Sequence, residues 1–276
     1  MPQRDAPGQT VTHARSWAGL LEELYEGSWN DDLQRFRSPF AFRGLADASH
    51  VLENSLVRLS AGHPDIATLE RSMLRNFRKY AVQETASSVD TIWHWLAVGQ
   101  HHGLPTRLMD WTFSPLVALH FATDAPNTYE RDGSVWCVNF VRANRLLPKR
   151  LRAILDEDAS ETFTVDMLAG FSTLADFDAL TRDPFLMFIE PPALDARILH
   201  QAALFSLMPS PAASVQEWLL AHPDLARRVI IPAELKWEVR DKLDQANITE
   251  RTLFPGLDGL SRSLERYYKP RRGVRL

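Results

Sequence analysis

The sequence predicts a single α+β domain in which small mixed or antiparallel sheets pack against helices. Helix-like and strand-like segments are mixed along the 276 residues without a regular βαβ repeat, which disfavours a doubly wound parallel sheet. Neither a glycine-rich dinucleotide fingerprint nor a P-loop occurs. The composition, with 45% hydrophobic and 24% charged residues, is that of an ordinary globular chain.

Hydrophobic periodicity places the elements. The first helix is expected at residues 11–26, and residues 40–44 alternate bulky and small side chains, as a strand does. Residues 66–82 carry the i, i+3, i+4 spacing of a helix, and the near-continuous apolar run at 135–141 predicts a strand buried on both faces. Residues 148–183 show only weak helical patterns. Further strands are expected at 185–189, 204–208 and 229–231, and further helices at 214–221 and 232–245.

These elements fall into one domain with two short ends. We expect a flexible N-terminus at residues 1–12, the domain at 13–268 and a basic C-terminal tail at 269–276. The N-terminal residues do not read as a signal peptide, and no apolar run approaches the ~18 residues of a membrane span. The single Cys137 cannot form an intramolecular disulfide. The sequence therefore predicts a cytoplasmic protein without a membrane partner.

Charge and histidine spacing disfavour two classes of ligand. The formal net charge of −4 argues against a sequence-independent grip on nucleic acid, which would need a basic surface. His101 and His102 are adjacent at an expected helix end, and His94 adds no metal-ligating spacing to them. No metal site is expected.

A polar segment between two apolar helices is the clearest functional feature. The helix at 88–103 is expected to end at Gly103, which adopts the left-handed conformation cheaply, and Pro105 prevents its continuation. The next helix begins with Ser114 as N-cap and Pro115 as its first residue, and it is apolar on nearly all sides. A polar connection fixed at both ends suits recognition or chemistry. It contains Gln100, His101, His102, Thr106, Arg107, Asp110, Trp111 and Thr112.

Arg43 is the first candidate outside that segment, at the end of an apolar strand beside Gly44. A guanidinium is a rigid fork of donors suited to a phosphate or carboxylate ligand. An internal salt bridge would use the same donors, and the sequence does not separate these roles. Gly44 indicates a bulge or a close approach of another backbone.

The charged residues of the polar segment carry similar alternatives. Arg107 and Asp110 lie three residues apart and either pair with each other or with loop backbone, or contact a ligand. His101 and His102 suit proton transfer near neutral pH, but a structural hydrogen bond would also explain either one.

The remaining candidates are an aromatic residue and a polar pair. Trp111 either stacks on a flat ligand or packs in the core. Gln201 follows Arg197 by four residues and is expected at the start of a strand. From there both side chains could project toward the cleft of Arg43, or they could hydrogen-bond to a neighbouring strand. Covalent catalysis has no support, because Cys137 lies in an expected buried strand and no nucleophile motif occurs.

These segments together resemble the FRG domain family of bacterial proteins, named for an aromatic-x-Arg-Gly signature that appears here as FAFRG at 40–44. Further blocks that resemble the family are WLAVGQHHGLPTRLMDWTFSPLVALHFA at 95–122, the Arg197 to Gln201 segment leading into Leu204-Phe205-Ser206, and TLFPGLDGL at 252–260. They cover most of residues 38–264 in the expected order. The family name describes a motif and not an activity.

A more distant resemblance is to ADP-ribosyltransferases, many of which begin with an aromatic-x-Arg-Gly strand that holds NAD phosphate and end with a strand carrying a catalytic glutamate. The resemblance implies an ADP-ribosyltransferase-like core that uses NAD, with Arg43 on the phosphate and residues 110–112 and 118–122 as the middle segments. Gln201 falls in the place of the glutamate, and a glutamine cannot offset oxocarbenium charge as a carboxylate does. Glu190, on the preceding apolar run, is the alternative carboxylate.

Two functions of different classes follow from these observations. The leading hypothesis is an NAD- or nucleotide-binding enzyme that transfers ADP-ribose or hydrolyses NAD. Its catalytic candidates are Gln201, His101 and Glu190, and its binding candidates are Arg43, Gly44, His102, Arg107, Asp110, Trp111 and Thr112. The alternative is a non-catalytic module that binds a nucleotide or a protein target, in a setting such as bacterial or phage defence.

Overall fold

The computed structural model describes residues 8–61, 63–81 and 90–270 and confirms the α+β class. Its strands are β1 (Thr10–His13), β2 (Trp29–Asn30), β3 (Arg35–Phe36), β4 (Phe40–Leu45), β5 (Met109–Thr112), β6 (Gly133–Asn139), β7 (Met187–Ile189), β8 (Ala203–Leu207) and β9 (Ala226–Ile231). Its helices are α1 (Trp17–Tyr25), α2 (Ser55–Leu59), α3 (Ile66–Ala81), α4 (Ile92–His101), α5 (Pro115–Thr123), α6 (Phe140–Asn144), α7 (Lys149–Glu157), α8 (Leu174–Asp178), α9 (Ala196–His200), α10 (Val215–Ala221), α11 (Lys236–Gln245), α12 (Glu250–Leu253) and α13 (Leu257–Tyr267). Within the same residues, no helix is long and apolar enough to cross a bilayer.

The large sheet has the strand order β1-β9-β6-β4-β5-β8-β7, and β2 pairs with β3 in a separate small sheet. Neighbouring strands of the large sheet are antiparallel, except that β1 is parallel to β9. The buried strand β6 pairs along its length with β4 and β9. By contrast, β4 and β5 pair only through Phe42 and Thr112. The sheet therefore consists of two parts, β1-β9-β6-β4 and β5-β8-β7, that meet at one residue pair.

Hydrophobic clusters cover both faces of this sheet, because side chains alternate between the faces along each strand. One cluster spans both parts of the sheet on one face and includes Trp136, Trp111 and Phe188. On the opposite face, α1, α5 and α11 cover the part that contains β4, with Phe42 in their cluster. Helices α4, α7 and α8 cover the other part, with Phe205 in theirs. The two clusters on this second face leave a gap above the junction of β4 and β5.

Helix α5 contacts the β4 backbone at Gly44, which confirms the predicted close approach. Ser114 caps the helix by accepting a hydrogen bond from the Val117 N–H, and Pro115 is its first residue, as expected. A Cβ at Gly44 would lie 1.9 Å from the Ala118 carbonyl oxygen. Only glycine permits this helix to lie so close to the strand.

Some predicted boundaries were wrong because tertiary pairing overrides local pattern. Residues 10–13, expected to be partly helical, pair with β9, and α1 begins only at Trp17. The polar connection is not all loop, since β5 pairs with β8 along its length. Gln201 is the C-cap of α9 and does not begin a strand. Helices α3 and α4 confirm two predicted helices, although the predicted boundary residues Val82 and Ser88 lie outside the described residues. Residues 1–7 and 271–276, which belong to the predicted flexible N-terminus and basic tail, also lie outside them.

Replacing Gly44 by alanine is expected to lower the free energy of unfolding by about 1–3 kcal/mol or more, because the new Cβ must push α5 away from β4. Chemical denaturation of the purified variant measures this. Gly19→Ala in α1 is the matched control, since its Cβ would meet only the Ser16 hydroxyl at 3.5 Å. Equal stability of the Gly44→Ala variant and the wild type would show that the helix yields without cost.

Candidate functional site

A cavity of about 260 Å³ lies in the gap between the two clusters; we call it the first cavity. Phe42 and Phe205 contribute apolar wall from the two parts of the sheet, and Phe121 of α5 adds a third ring. The first cavity brings together most of the residues that the sequence singled out: Arg43, Gly44, His101, Asp110, Trp111, Thr112 and Gln201. Gln100, Arg197, Ile198 and Ala203 complete its lining.

Arg43 bridges the two parts of the sheet beside this cavity. Its Nη1 donates a hydrogen bond to the backbone carbonyl of Asp110, beyond the point where β4 and β5 cease to pair. Its Nε is buried and has no hydrogen-bond partner. In the described part of the chain, Arg43 forms no salt bridge, so the internal ion pair considered above is not formed. Burial lowers the pKa of Arg43, and the nearby charge of Asp110 opposes that shift.

The carboxylate of Asp110 is held by Gln100 at the end of α4. Gln100 Nε2 donates to Asp110 Oδ2 at 2.9 Å, and Gln100 Oε1 accepts from the Thr106 hydroxyl at 2.6 Å. With its amide used at both ends, Gln100 fixes the orientation of Asp110. Asp110 is itself exposed, so it can still accept hydrogen bonds from a ligand.

Gln201 is tied to the C-terminal helices. Its Nε2 donates to the Leu253 carbonyl at 2.9 Å, and its own carbonyl accepts from the Thr112 hydroxyl at 2.7 Å. This bond uses one of the two N–H donors of the amide, so the other N–H and Oε1 remain for a ligand. Thr112 therefore positions Gln201, and its hydroxyl is not free for a ligand.

The two adjacent histidines have different surroundings. His101 Nε2 lies 2.8 Å from Asp195 Oδ2, and the His101 ring lines the first cavity. His102 does not line the first cavity. It lines a more open second cavity of about 550 Å³, together with Ser55, Gly103 and Leu104. The two cavities adjoin, since Gln100, His101, Asp110 and Arg197 line both.

Arg197 joins Arg43 at the first cavity, as its spacing from Gln201 suggested. Its guanidinium stacks on Phe254, with Cζ 5.1 Å from the ring centroid. It forms no salt bridge within the described residues. Phe254 also packs edge-on against Phe121, so the segment between α12 and α13 supports two residues that line the cavity, Arg197 and Phe121. The sequence analysis names Phe254 only as part of the block 252–260, because its contacts at this cavity, Arg197 and Phe121, lie far away in the chain.

Arg107 lies elsewhere and has a structural role. Its guanidinium is buried against the carboxylates of Glu70 and Asp178, so the expected pair with Asp110 is not formed. Burial alone would lower the pKa of Arg107, but hydrogen bonds and charge from these two carboxylates outweigh it and raise the pKa. Arg107 does not line the first or the second cavity.

Two further candidates also differ from expectation. Glu190 is exposed at the end of β7 and accepts a hydrogen bond from Thr162, away from both cavities. Trp111 reaches the cavity wall, but its Nε1 donates to Ser206 at 2.8 Å and its ring packs against Phe188. Its indole is therefore mainly a core side chain.

Replacing Arg107 by methionine is expected to lower the free energy of unfolding by about 3–5 kcal/mol, because it leaves the buried Glu70 without its partner. Denaturant titration measures this. The matched control is Arg142→Met, whose partner Asp224 is exposed, and a loss below about 1 kcal/mol is expected there. Similar losses in the two variants would contradict the structural role of Arg107.

Comparison with known proteins identifies one stretch of the chain. The FRG domain model matches residues 38–131, which contain β4, the polar segment and α5. No curated protein and no solved structure matches the chain. The match covers Arg43, His101 and Asp110, whereas Arg197 and Gln201 lie beyond it. The chain therefore carries an FRG domain at residues 38–131.

Proposed function

We propose that the first cavity binds a phosphate-bearing nucleotide, with NAD as the leading candidate. The observation that carries this proposal is that two arginines, Arg43 and Arg197, line one cavity without a carboxylate partner in the described residues. A buried or half-buried guanidinium is ordinarily paired, and phosphate oxygens match its planar donors. The Nε of Arg43 is the donor that most needs a partner.

The other lining residues fit the remaining parts of a nucleotide. Asp110 offers a carboxylate that can accept hydrogen bonds from ribose hydroxyls, as acidic residues do in dinucleotide sites. Gln201 offers an acceptor through Oε1. Phe42, Phe121 and Phe205 supply apolar surface for a flat ring.

The size of the site favours an elongated ligand. The first cavity, at about 260 Å³, lies just below the ~300–1,000 Å³ usual for small-molecule sites. The adjoining second cavity adds about 550 Å³. A dinucleotide can therefore place its diphosphate near the arginines and extend one end into each cavity.

If the bound NAD is turned over, the reaction is transfer of ADP-ribose or hydrolysis at the nicotinamide ribose. The carboxylate in the first cavity is Asp110, since Gln201 is neutral and Glu190 lies elsewhere. The second candidate function is a non-catalytic nucleotide-binding module. Gln201 favours it, because an amide gives an oxocarbenium ion no compensating charge.

Calorimetric titration of NAD tests the proposal. We expect saturable binding to the wild type and a roughly 10- to 100-fold weaker affinity in Arg43→Met and Arg197→Met, the cost of losing a charge-assisted hydrogen bond. Arg150→Met is the matched control, because Arg150 also stacks on a ring, that of Phe171, and lines neither cavity.

Absence of binding at millimolar NAD, or equal losses in all three variants, would contradict the proposal. Thermal unfolding of each variant separates loss of affinity from loss of fold. Release of nicotinamide by the wild type would then favour the enzyme, and binding without release would favour the module.

A further inference from the structure

His101 lies where the two cavities adjoin, and its two ring nitrogens are in different environments. Its side chain is only 9% exposed and lines both cavities. Nε2 faces the carboxylate of Asp195 at 2.8 Å. Nδ1 has no hydrogen-bond partner in the described residues, and the atom is not fully buried. Nδ1 is therefore open to a ligand or to water.

Asp195 is itself held in place as the N-cap of α9. Its Oδ1 accepts hydrogen bonds from the backbone N–H groups of Arg197 at 2.9 Å and Ile198 at 3.2 Å, which leaves Oδ2 for His101. Burial opposes ionisation, but hydrogen bonds from His101 and from these N–H groups outweigh it and lower the pKa of Asp195. An ionised carboxylate only accepts hydrogen bonds, so Nε2 of His101 carries a proton, and in the neutral imidazole the free lone pair is then on Nδ1.

We propose that Asp195 holds His101 with Nδ1 as a proton acceptor, and that His101 is the general base for a hydroxyl nucleophile bound in the second cavity. Asp195 is then a positioning residue and His101 the catalytic one. The nucleophile is water or the alcohol group of an acceptor. This inference rests on the proposed function for its substrate, but the state of His101 does not depend on any ligand.

With NAD and water as reactants, the step is hydrolysis of the bond between the ribose and nicotinamide. The water oxygen forms a bond to C1′ of the nicotinamide ribose while the bond from C1′ to the nicotinamide nitrogen breaks. The electron pair of that bond stays on the ring nitrogen, so the pyridinium leaves as neutral nicotinamide. The water proton passes to Nδ1 of His101 and then to solvent. The products are ADP-ribose, nicotinamide and one proton.

The second cavity is lined mainly by polar residues, which suits water or an alcohol. It is the more open of the two, and it carries the Ser55 side chain and the His102 ring beside His101. Arg43 and the aromatic walls line the first cavity, whereas Arg197 lines both cavities. The ligand end that reacts therefore lies next to His101, at the passage between the two.

Asp195→Asn is the sharpest test, because asparagine keeps the cap but changes the tautomer. Asparagine is an equally good N-cap residue, and its oxygen is required by the N–H groups of Arg197 and Ile198. The NH2 group of the asparagine then faces His101 and donates a hydrogen bond, so Nε2 must act as the acceptor. The ring proton therefore moves to Nδ1, which can no longer take a proton from the nucleophile. The fold stays intact.

Two readouts follow this change. Nitrogen-15 NMR of the free protein, with the His101 signals assigned by their absence in His101→Gln, is expected to show a protonated Nε2 in the wild type and a protonated Nδ1 in Asp195→Asn. Nicotinamide release is expected to slow about 100-fold in Asp195→Asn with the Kd for NAD unchanged. Asp65→Asn is the matched control, since Asp65 caps α3 away from both cavities and that variant keeps the wild-type rate.

A protonated Nδ1 in the wild type, or an unchanged rate of nicotinamide release in Asp195→Asn, would overturn the inference. So would NAD binding by the wild type without any nicotinamide release, which leaves the binding proposal standing. Absence of NAD binding overturns the proposed function instead, and the NMR spectrum still decides whether Asp195 sets the tautomer of His101.

Discussion

The single residue pair that joins β4 to β5 is the constraint on which the rest of the site depends. Strands that stop pairing leave backbone groups without ladder partners, and such groups need another source of hydrogen bonds. Arg43 supplies one of these bonds by donating to the Asp110 carbonyl across the gap. The same gap, covered on one side by α5 and on the other by α4, is the first cavity. The arginine that closes the sheet is therefore also the one that faces a ligand.

The contrast between the half-buried Arg43 and the buried Arg107 shows how two arginines acquire different roles. Arg107 is surrounded by two carboxylates that use its donors, and it contributes to the packing of α3 and α8. Arg43 donates a hydrogen bond to one backbone carbonyl, and its Nε has no partner. A guanidinium with satisfied donors stabilises the fold, whereas one with unsatisfied donors is costly unless a ligand completes it. This difference is why the proposed nucleotide site rests on Arg43 and not on Arg107.

Local patterns in the sequence were sufficient for the parts of the site that depend on neighbours in the chain. The strand that contains Gly44, the cap at Ser114 and the left-handed Gly103 that follows α4 are explained by chemistry within a few residues. The partners of Arg107 could not be predicted, because Glu70 and Asp178 lie 37 and 71 positions away. Asp195 escaped notice for the same reason, since only the fold brings it to His101. Residues 109–112 alternate apolar and polar side chains, but so short a run beside polar neighbours resembles a loop, and only the fold shows its pairing with β8.

A crystal structure of the protein with ADP-ribose tests the central claim most directly, since it shows where the diphosphate lies. The account predicts phosphate oxygens within hydrogen-bond distance of the guanidinium groups of Arg43 and Arg197, and a ribose hydroxyl on Asp110. A ligand bound elsewhere, with Arg43 still bonded only to the Asp110 carbonyl, would contradict it.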